Sequence, residues 1–394
     1  MKIITRTIFI LSLVSLFTDI ASEMLYPIMP MYLTSIGFSV MLIGLLEGIA
    51  EATAGLSKGY FGNLSDSTDR RKPFIQFGYS LSAISKPMMA VLTFPLWIFG
   101  ARTLDRLGKG IRTGARDAML SAETTTEFKG RVFGFHRAFD TIGAALGPFA
   151  ALIFLMCYPA HYKTLFLLAF IPGVLAIAMT FLVKENRTVQ PASISAPVVR
   201  PGFFSFIKYW KTAPREFRLL VIGFLFFALM NSSDVLLLLM MRHQGANDPQ
   251  VIGVYILYNL VYAFMSYPMG VLGDKIGLKT IFIIGLVLFA IVYGSIIFAG
   301  SMLGLLALFF LYGIYAASTE GISKAWISNI VPKNEVATAI GFYTGMQSIC
   351  SLLASSLAGW LWYAFSPDMT FGVSAVGAFL TAFYLAIVFR VRQS

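Results

Sequence analysis

Long apolar runs recur along the chain and decide what it can fold into. "TIFILSLVSLFTDIASEMLYPIMPMYL" and "TIFIIGLVLFAIVYGSIIFAG" each exceed the ~20 residues that a helix needs to cross a bilayer. Twelve such segments fall at roughly 7–33, 38–60, 73–95, 96–118, 131–157, 163–183, 217–241, 249–272, 278–299, 301–326, 335–363 and 369–390. Of the 394 residues, 57% are hydrophobic and only 12% charged. Soluble domains carry roughly half apolar and a quarter charged residues. With a mean hydropathy of +0.77, the chain reads as an integral membrane protein.

The connections alternate in character. "GNLSDSTDRRKP", "TTTEFKGRV", "GDKIGLKT" and "VPKNEVAT" carry charge, whereas "TSIGFSV", "TFPL" and "AGSM" carry none. Basic loops stay in the cytoplasm, so both termini are expected there, in a bacterial-type inner membrane. The same rule accounts for the net charge of +11 without nucleic acid as a partner. Lys2 and Arg6 before an apolar run mimic a secretion signal. No small-residue cleavage site follows cleanly, and the run continues to about residue 33, so it reads as a retained first span. Cys157 and Cys350 lie far apart in apolar segments and suggest neither a disulfide framework nor a metal site.

A Pro-, Ser- and Lys/Arg-rich stretch at 184–216 reads as a cytoplasmic linker, partly interfacial through Phe203, Phe204, Phe206 and Trp210. It separates an N-terminal six-helix half, 1–183, from a C-terminal one, 217–394. The halves repeat at an offset of 207–208 residues. Gly62, Leu64 and Asp66 align with Gly270, Leu272 and Asp274, and Gly134 and Phe135 with Gly341 and Phe342.

These loops resemble the signature of the major facilitator superfamily, G-x-L-[AS]-D-[RK]-x-G-[RK]-[RK]. The first copy has Gly62, Leu64, Ser65, Asp66, Arg70 and Arg71, with Ser67 and Asp69 replacing the basic residue and the second glycine. The second copy has Gly270, Leu272, Gly273, Asp274, Lys275, Gly277 and Lys279. The resemblance covers essentially the whole chain. It implies twelve transmembrane helices in two pseudo-symmetric halves, alternating access, and a substrate site between the halves. An aspartate beside clustered bases can form charge-assisted bonds or cap a helix, and contacts made in one state and broken in another form a gate. Arg70, Arg71 and Lys72 read either as gate partners or as topology signals.

The fourth span carries the chain's most unusual patch, "RTLDRLGKGIRTGARDA". At 100° per residue, Arg102, Arg106, Lys109, Arg112 and Arg116 form one stripe. Each cation facing lipid would cost at least ~2.5 kcal/mol, so the stripe must face protein or water. In the fold that the chain resembles, this helix lines the central cavity. At about 1.5 Å rise per residue, Arg102 and Arg106 lie roughly 9 and 15 Å below the outer boundary, and Asp19 and Glu23 roughly 12 and 6 Å below it. Glu47 and Glu51 fall near Arg106 and Lys109. The network either holds the first half together or exchanges protons. Arg112 and Arg116, nearer the cytoplasm, read as network members or as topology determinants.

"GKGIRTG" is no phosphate loop, because it follows no strand and lies inside a span. The segment does resemble the family's helix-4 signature, which leaves Arg102 or Arg106 as the coupling arginine. Gly143, Gly147 and Pro148 resemble the antiporters' helix-5 motif, although Ala150 and Ala151 replace its last glycine pair. Arg137 and Asp140 are spaced as an intrahelical pair, and His136 reads as packed. In the second half Asn231 aligns with Glu23, and Asp234 lies near mid-depth. Glu320 and Lys324 suit a gate salt bridge, and Tyr26, Tyr258, Asn259 and Tyr315 suit cavity walls.

The expected function is a proton-coupled secondary transporter of a small organic anion or zwitterion, such as a carboxylate metabolite or siderophore. The alternative is proton-driven efflux of lipophilic or cationic drugs. With three histidines and no nucleophile elbow, the sequence suggests no enzyme and no cofactor. The lipid bilayer and a small solute are the expected partners of a monomer.

Overall fold

Apolar segments in lipid must satisfy their backbone polar groups internally, which favours helix throughout. The computed structural model describes residues 3–26, 28–38, 40–159, 161–185, 202, 205–232, 234–246 and 248–390. The described residues form fifteen α-helices and two short 3-10 turns, and no strand. These are α1 (Arg6–Glu23), α2 (Met29–Ser35), α3 (Val40–Thr68), α4 (Lys72–Val91), α5 (Pro95–Ala122), α6 (Lys129–Cys157) and α7 (Tyr162–Phe181). There follow α8 (Ser205–Thr212), α9 (Arg215–Met230), α10 (Asp234–His243), α11 (Asp248–Ile276), α12 (Leu278–Ser295), α13 (Met302–Ile330), α14 (Val336–Ala364) and α15 (Pro367–Val388). The twelve expected spans are all accounted for. The first and seventh are each broken in two, as α1–α2 and α9–α10.

The breaks fall at repeat-equivalent places, after Glu23 and at Asn231. In the second, Asn231 and Ser232 precede Asp234, and short polar side chains compete with helical backbone hydrogen bonds. Asp234 then opens α10, where a negative charge favours the helix N-terminus. Among the described residues, seven helices are long and apolar enough by themselves to cross a membrane. Charged α3 and α5 are not among them, so their placement depends on what covers their polar groups.

The helices pack into two units. Unit 1 comprises Met1–Thr125, Phe139–Ala213 and Val331–Gly345, and unit 2 comprises Thr126–Ala138, Pro214–Ile330 and Met346–Ser394. Each unit therefore incorporates a short piece from the other sequence half. In unit 1, α5 packs against α3 and α4, and α7 against α1 and α4. Unit 2 repeats the scheme, with α13 against α11 and α12, and α15 against α9 and α12.

Glycines set the closest crossings. In unit 1 a Cβ at Gly62 would overlap the Ala337 carbonyl oxygen, and one at Gly341 that of Lys58. In unit 2 a Cβ at Gly270 would overlap the Gly130 carbonyl, and one at Gly134 that of Ser266. Close backbone approach needs small residues of this kind. The turn after α11 uses Gly277 at φ 97°, and the equivalent turn after α3 uses Asp69 at φ 48°. Aspartate tolerates the left-handed region better than most side chains, which explains how the loop keeps its shape without the signature glycine.

The linker expectation needs correction. Phe203 and Phe204 lie outside the described residues. Phe206, on α8, is fully buried against Gly59 rather than resting in a lipid interface. Trp210 stacks on Phe342 with centroids 5.8 Å apart, and the Tyr209 hydroxyl donates to Glu335 Oε2 at 3.1 Å.

Replacing Gly62 by Leu should lower stability by about 1–3 kcal/mol, the usual cost of overpacking. Gly100→Ala, whose Cβ would meet nothing within 4 Å, should melt like the parent. Thermal melts of both purified variants in detergent check the contrast.

Candidate functional site

The cationic stripe of α5 is turned into unit 1. Arg102, Arg112 and Arg116 are 5%, 5% and 7% exposed, beside buried Asp105 and Asp117. Burial on this scale demands a partner for every ion. Asp105 supplies the first set: its Oδ2 lies 3.4 Å from Arg102 Nη1, and its Oδ1 3.2 Å from Lys86 Nζ on α4. Ser82 Oγ donates to the same Oδ1 at 2.5 Å. One turn inward, Arg106 Nε lies 3.6 Å from Glu51 Oε2 of α3. The Arg112 guanidinium sits over the Tyr79 ring, 4.5 Å from its centroid. Arg116 reaches Asp117 at 2.9 Å and donates to Ser15 Oγ of α1 at 3.0 Å. Arg112 and Arg116 are thus buried members of the network.

A small cleft opens among these groups. Arg102, Arg106, Lys109 and Arg112 of α5 line it together with Asp105, Ser82 of α4, and Asp19, Ser22, Glu23 and Tyr26 of the first span. The structure therefore brings together seven residues singled out in the sequence: Asp19, Glu23, Tyr26, Arg102, Arg106, Lys109 and Arg112. Sequence reasoning missed Ser82, Lys86 and Asp105. For Asp105 a signal existed, since the residue lies on the same helical stripe, three positions after Arg102. Glu51 is half-exposed, and the Glu47 side chain lies outside the described residues.

The position of the two pocket acids follows from helix crossing. A Cβ at Gly143 of α6 would lie 2.6 Å from the Leu16 carbonyl and 3.0 Å from the Asp19 Cβ. At Gly147 it would lie 2.8 Å from the Ile20 carbonyl and 2.7 Å from the Met24 nitrogen. Pro148 follows directly within α6. Asp140 is buried one turn before Gly143.

The signature aspartates each hold a distant helix N-terminus. In unit 1, Asp66 Oδ2 accepts from the Thr338 backbone N–H at 2.7 Å and from its hydroxyl at 2.8 Å. In unit 2, Asp274 accepts from the Gly130 and Arg131 N–H groups at 2.7 and 3.0 Å. The first-turn donors of α14 and α6 have no intrahelical acceptor, and a carboxylate suits the positive helix end. The basic residues around these aspartates do different work. Arg71 donates to the Ala118 and Lys333 carbonyls, while Arg70 is exposed. Lys72 caps the end of α7 at Phe181 and Val183, and Lys279 the end of α15 at Ala386 and Phe389.

Arg137 reaches beyond its own helix, donating to the Tyr262 hydroxyl and lying 3.8 Å from Glu320 Oε2. Glu320 thus has a partner on α6 as well as the expected neighbour Lys324 on its own helix. His136 is buried. Asn231 donates to the Tyr315 hydroxyl at 3.1 Å, and Asp234 accepts from that of Tyr312 at 2.6 Å. Tyr258 and Asn259 are buried on α11, and Asn259 donates to the Tyr255 carbonyl.

A helical repeat with paired broken spans, glycine crossings and an ion-lined pocket defines a membrane transporter. The family model described as Major Facilitator Superfamily matches residues 11–256 and again 219–394, and the chain belongs to that family. It is 33% identical to an uncharacterized MFS-type transporter of Methanocaldococcus jannaschii, over 98% of this chain and 95% of the relative. It is 22% identical to the multi-drug resistance efflux pump PmrA of Streptococcus pneumoniae, over 82% of this chain and 81% of the pump. The cis,cis-muconate transport protein of Acinetobacter baylyi is 23% identical, over 73% and 70%. Among solved structures, the human organic anion transporter MFSD10 superposes with a TM-score of 0.81 at 15% identity, over 96% of this chain and 99% of that one.

Two outcomes follow. Asp105→Asn leaves Lys86 and Arg102 without their carboxylate and should destabilise the protein by about 3–5 kcal/mol. Adding Lys86→Met should restore part of the loss, read as coupling in a double-mutant cycle of melting temperatures. Separately, Asp66→Ala should loosen the start of α14. A cysteine at fully buried Ala339, in a background with Cys157 and Cys350 changed to Ser, should resist maleimide in the parent and react in the Asp66→Ala variant.

Proposed function

We propose that the protein is a proton-coupled secondary transporter of a small organic anion or zwitterion, working by alternating access in an inner membrane with cytoplasmic termini. The pocket carries this reading: four cations of α5 share it with Asp19 and Glu23 of the first span. Arginine forks bind carboxylates through two parallel hydrogen bonds. A negative charge beside the two acids favours the presence of a proton in the pocket, so anion and proton bind together. The first span breaks directly after Glu23, at the edge of the pocket. Similarity to a muconate transport protein supports an anionic substrate.

A second reading, efflux of lipophilic or cationic compounds, is favoured by the similarity to PmrA and by the two carboxylates on the pocket wall. The readings differ in ligand charge. A thermal-shift screen of purified protein against dicarboxylates and against lipophilic amines should show stabilisation by the dicarboxylates alone. Stabilisation by the amines alone would establish the second reading instead.

Within the leading reading, Arg106→Lys should weaken anion binding by roughly tenfold or more while leaving the melting temperature near that of the parent, because charge persists but the fork is lost. Affinity and melting, measured on one preparation, separate this from simple destabilisation. Asp19→Asn should retain counterflow yet fail to concentrate substrate, since counterflow needs no net proton movement.

A further inference from the structure

The cations of α5 are not equally committed. Among the described residues, Arg102 is held by Asp105, Arg106 by Glu51 and Arg116 by Asp117, whereas Arg112 forms no ion pair. Its Nη1 is buried without a hydrogen bond. Asp19 lines the same cleft and is a charged neighbour of Arg112 and of Lys109, but it is ion-paired with neither among the described residues. Packing is what fixes the Arg112 guanidinium. A Cβ at Gly78 of α4 would lie 2.8 Å from the Arg112 Cβ, so the two helices touch at the base of this side chain. The next residue along α4, Tyr79, then places its ring against the guanidinium. The ring covers one face of that planar group and leaves the N–H edge for hydrogen bonding. Arg112 lines the cleft, and so does Lys109, one turn earlier on the same stripe.

We propose that Arg112 is the specificity-determining residue of this cleft and anchors the ligand by a carboxylate head group. The assignment deepens the anion reading and rests on it. A buried donor without an acceptor is costly to keep. A carboxylate answers it, because two coplanar oxygens meet a guanidinium edge through parallel hydrogen bonds. Lys109 adds a point charge one turn away. Arg102 and Arg106, in contrast, must share or surrender an acid before they take another. Tyr79 touches the guanidinium and orients it. The acids of the cleft select among anions. Asp19, Glu23 and Asp105 line it beside Arg112, so a head group with one negative charge is repelled less than one with two. A phosphate monoester carries about −1.5 to −2 at neutral pH. A carboxylate carries one charge and fits.

The test uses the purified full chain in detergent at fixed pH and ionic strength. Chloride is replaced stepwise by acetate, benzoate or succinate, and in parallel by methylphosphonate or phenylphosphonate. A ligand that binds only the folded state raises the melting temperature in a concentration-dependent way. The expected result is a saturable rise with a carboxylate that the phosphonates do not match. Arg112→Lys keeps the charge and loses the fork, and should raise the half-saturating concentration by roughly tenfold to a hundredfold, the worth of a hydrogen bond to a charged group. A comparison without ligand reports scaffolding separately. Arg112→Gln strands no paired acid and should melt close to the parent, whereas Arg116→Gln strands buried Asp117 and should melt well below it. If Arg112→Gln melts as low as Arg116→Gln, Arg112 serves the fold and the proposal fails, whatever the ligands do. It fails too if a carboxylate stabilises the parent and Arg112→Lys at equal concentrations, or if the phosphonates match the carboxylates. In those cases the anion reading survives. A parent that responds to no anion overturns that reading, and the proposal with it.

Discussion

Taking ions out of water is the constraint on which unit 1 depends. A buried charge without a partner costs several kcal/mol, and α5 carries a whole stripe of them. Each neighbouring helix therefore presents a specific polar group. α4 offers Ser82, Lys86 and Tyr79, α3 offers Glu51, and α1 offers Ser15. The glycine at each of Gly78 and Gly108 would place a Cβ within 2.7 Å of the other's carbonyl, so α4 comes close enough for its short serine to reach Asp105. Packing and electrostatics are here one requirement seen twice: without the close crossing the ions lose their partners, and without the ions the helix has no reason to be inside.

The two units solve a shared problem in different chemistry. Both break one span, and both use an aspartate to hold a helix N-terminus contributed by the other sequence half. Both also use a lysine to close a helix C-terminus. The polar interiors have diverged. Unit 1 neutralises guanidinium and ammonium groups with carboxylates. Unit 2 surrounds a carboxylate with tyrosine hydroxyls and packs the neighbouring Tyr315 ring against Phe227 and Phe289. Duplication preserved what positions the helices and left free what lies between them.

Apolar length and the loop repeat made the twelve spans and the two halves legible, because a bilayer imposes both on any sequence that enters it. Asp19, Glu23, Arg102, Arg106 and Lys109 were legible as pocket residues because ionic groups at membrane depth must share a level. Partner choice was not. Lys86 is the one charged residue of α4 beyond Lys72 at its start, and only the register between α4 and α5 shows that it meets Asp105. The acceptor role of Asp66 toward Thr338 spans 272 positions, a separation that no local pattern encodes. The helix breaks were hidden for a related reason: a few polar residues within a hydrophobic run resemble tolerated exceptions until the backbone shows that they end the helix.

The exchange of segments between sequence halves bears on biogenesis. Helices enter the membrane in order, and a domain ordinarily matures as its chain emerges. Unit 1 includes residues 331–345, so its final packing waits on synthesis of nearly the entire polypeptide. Until then, the glycine surface around Gly62 and the carboxylate of Asp66 have no occupant from the later half. The first six spans leave the ribosome as an unfinished assembly, completed only when residues 331–345 follow.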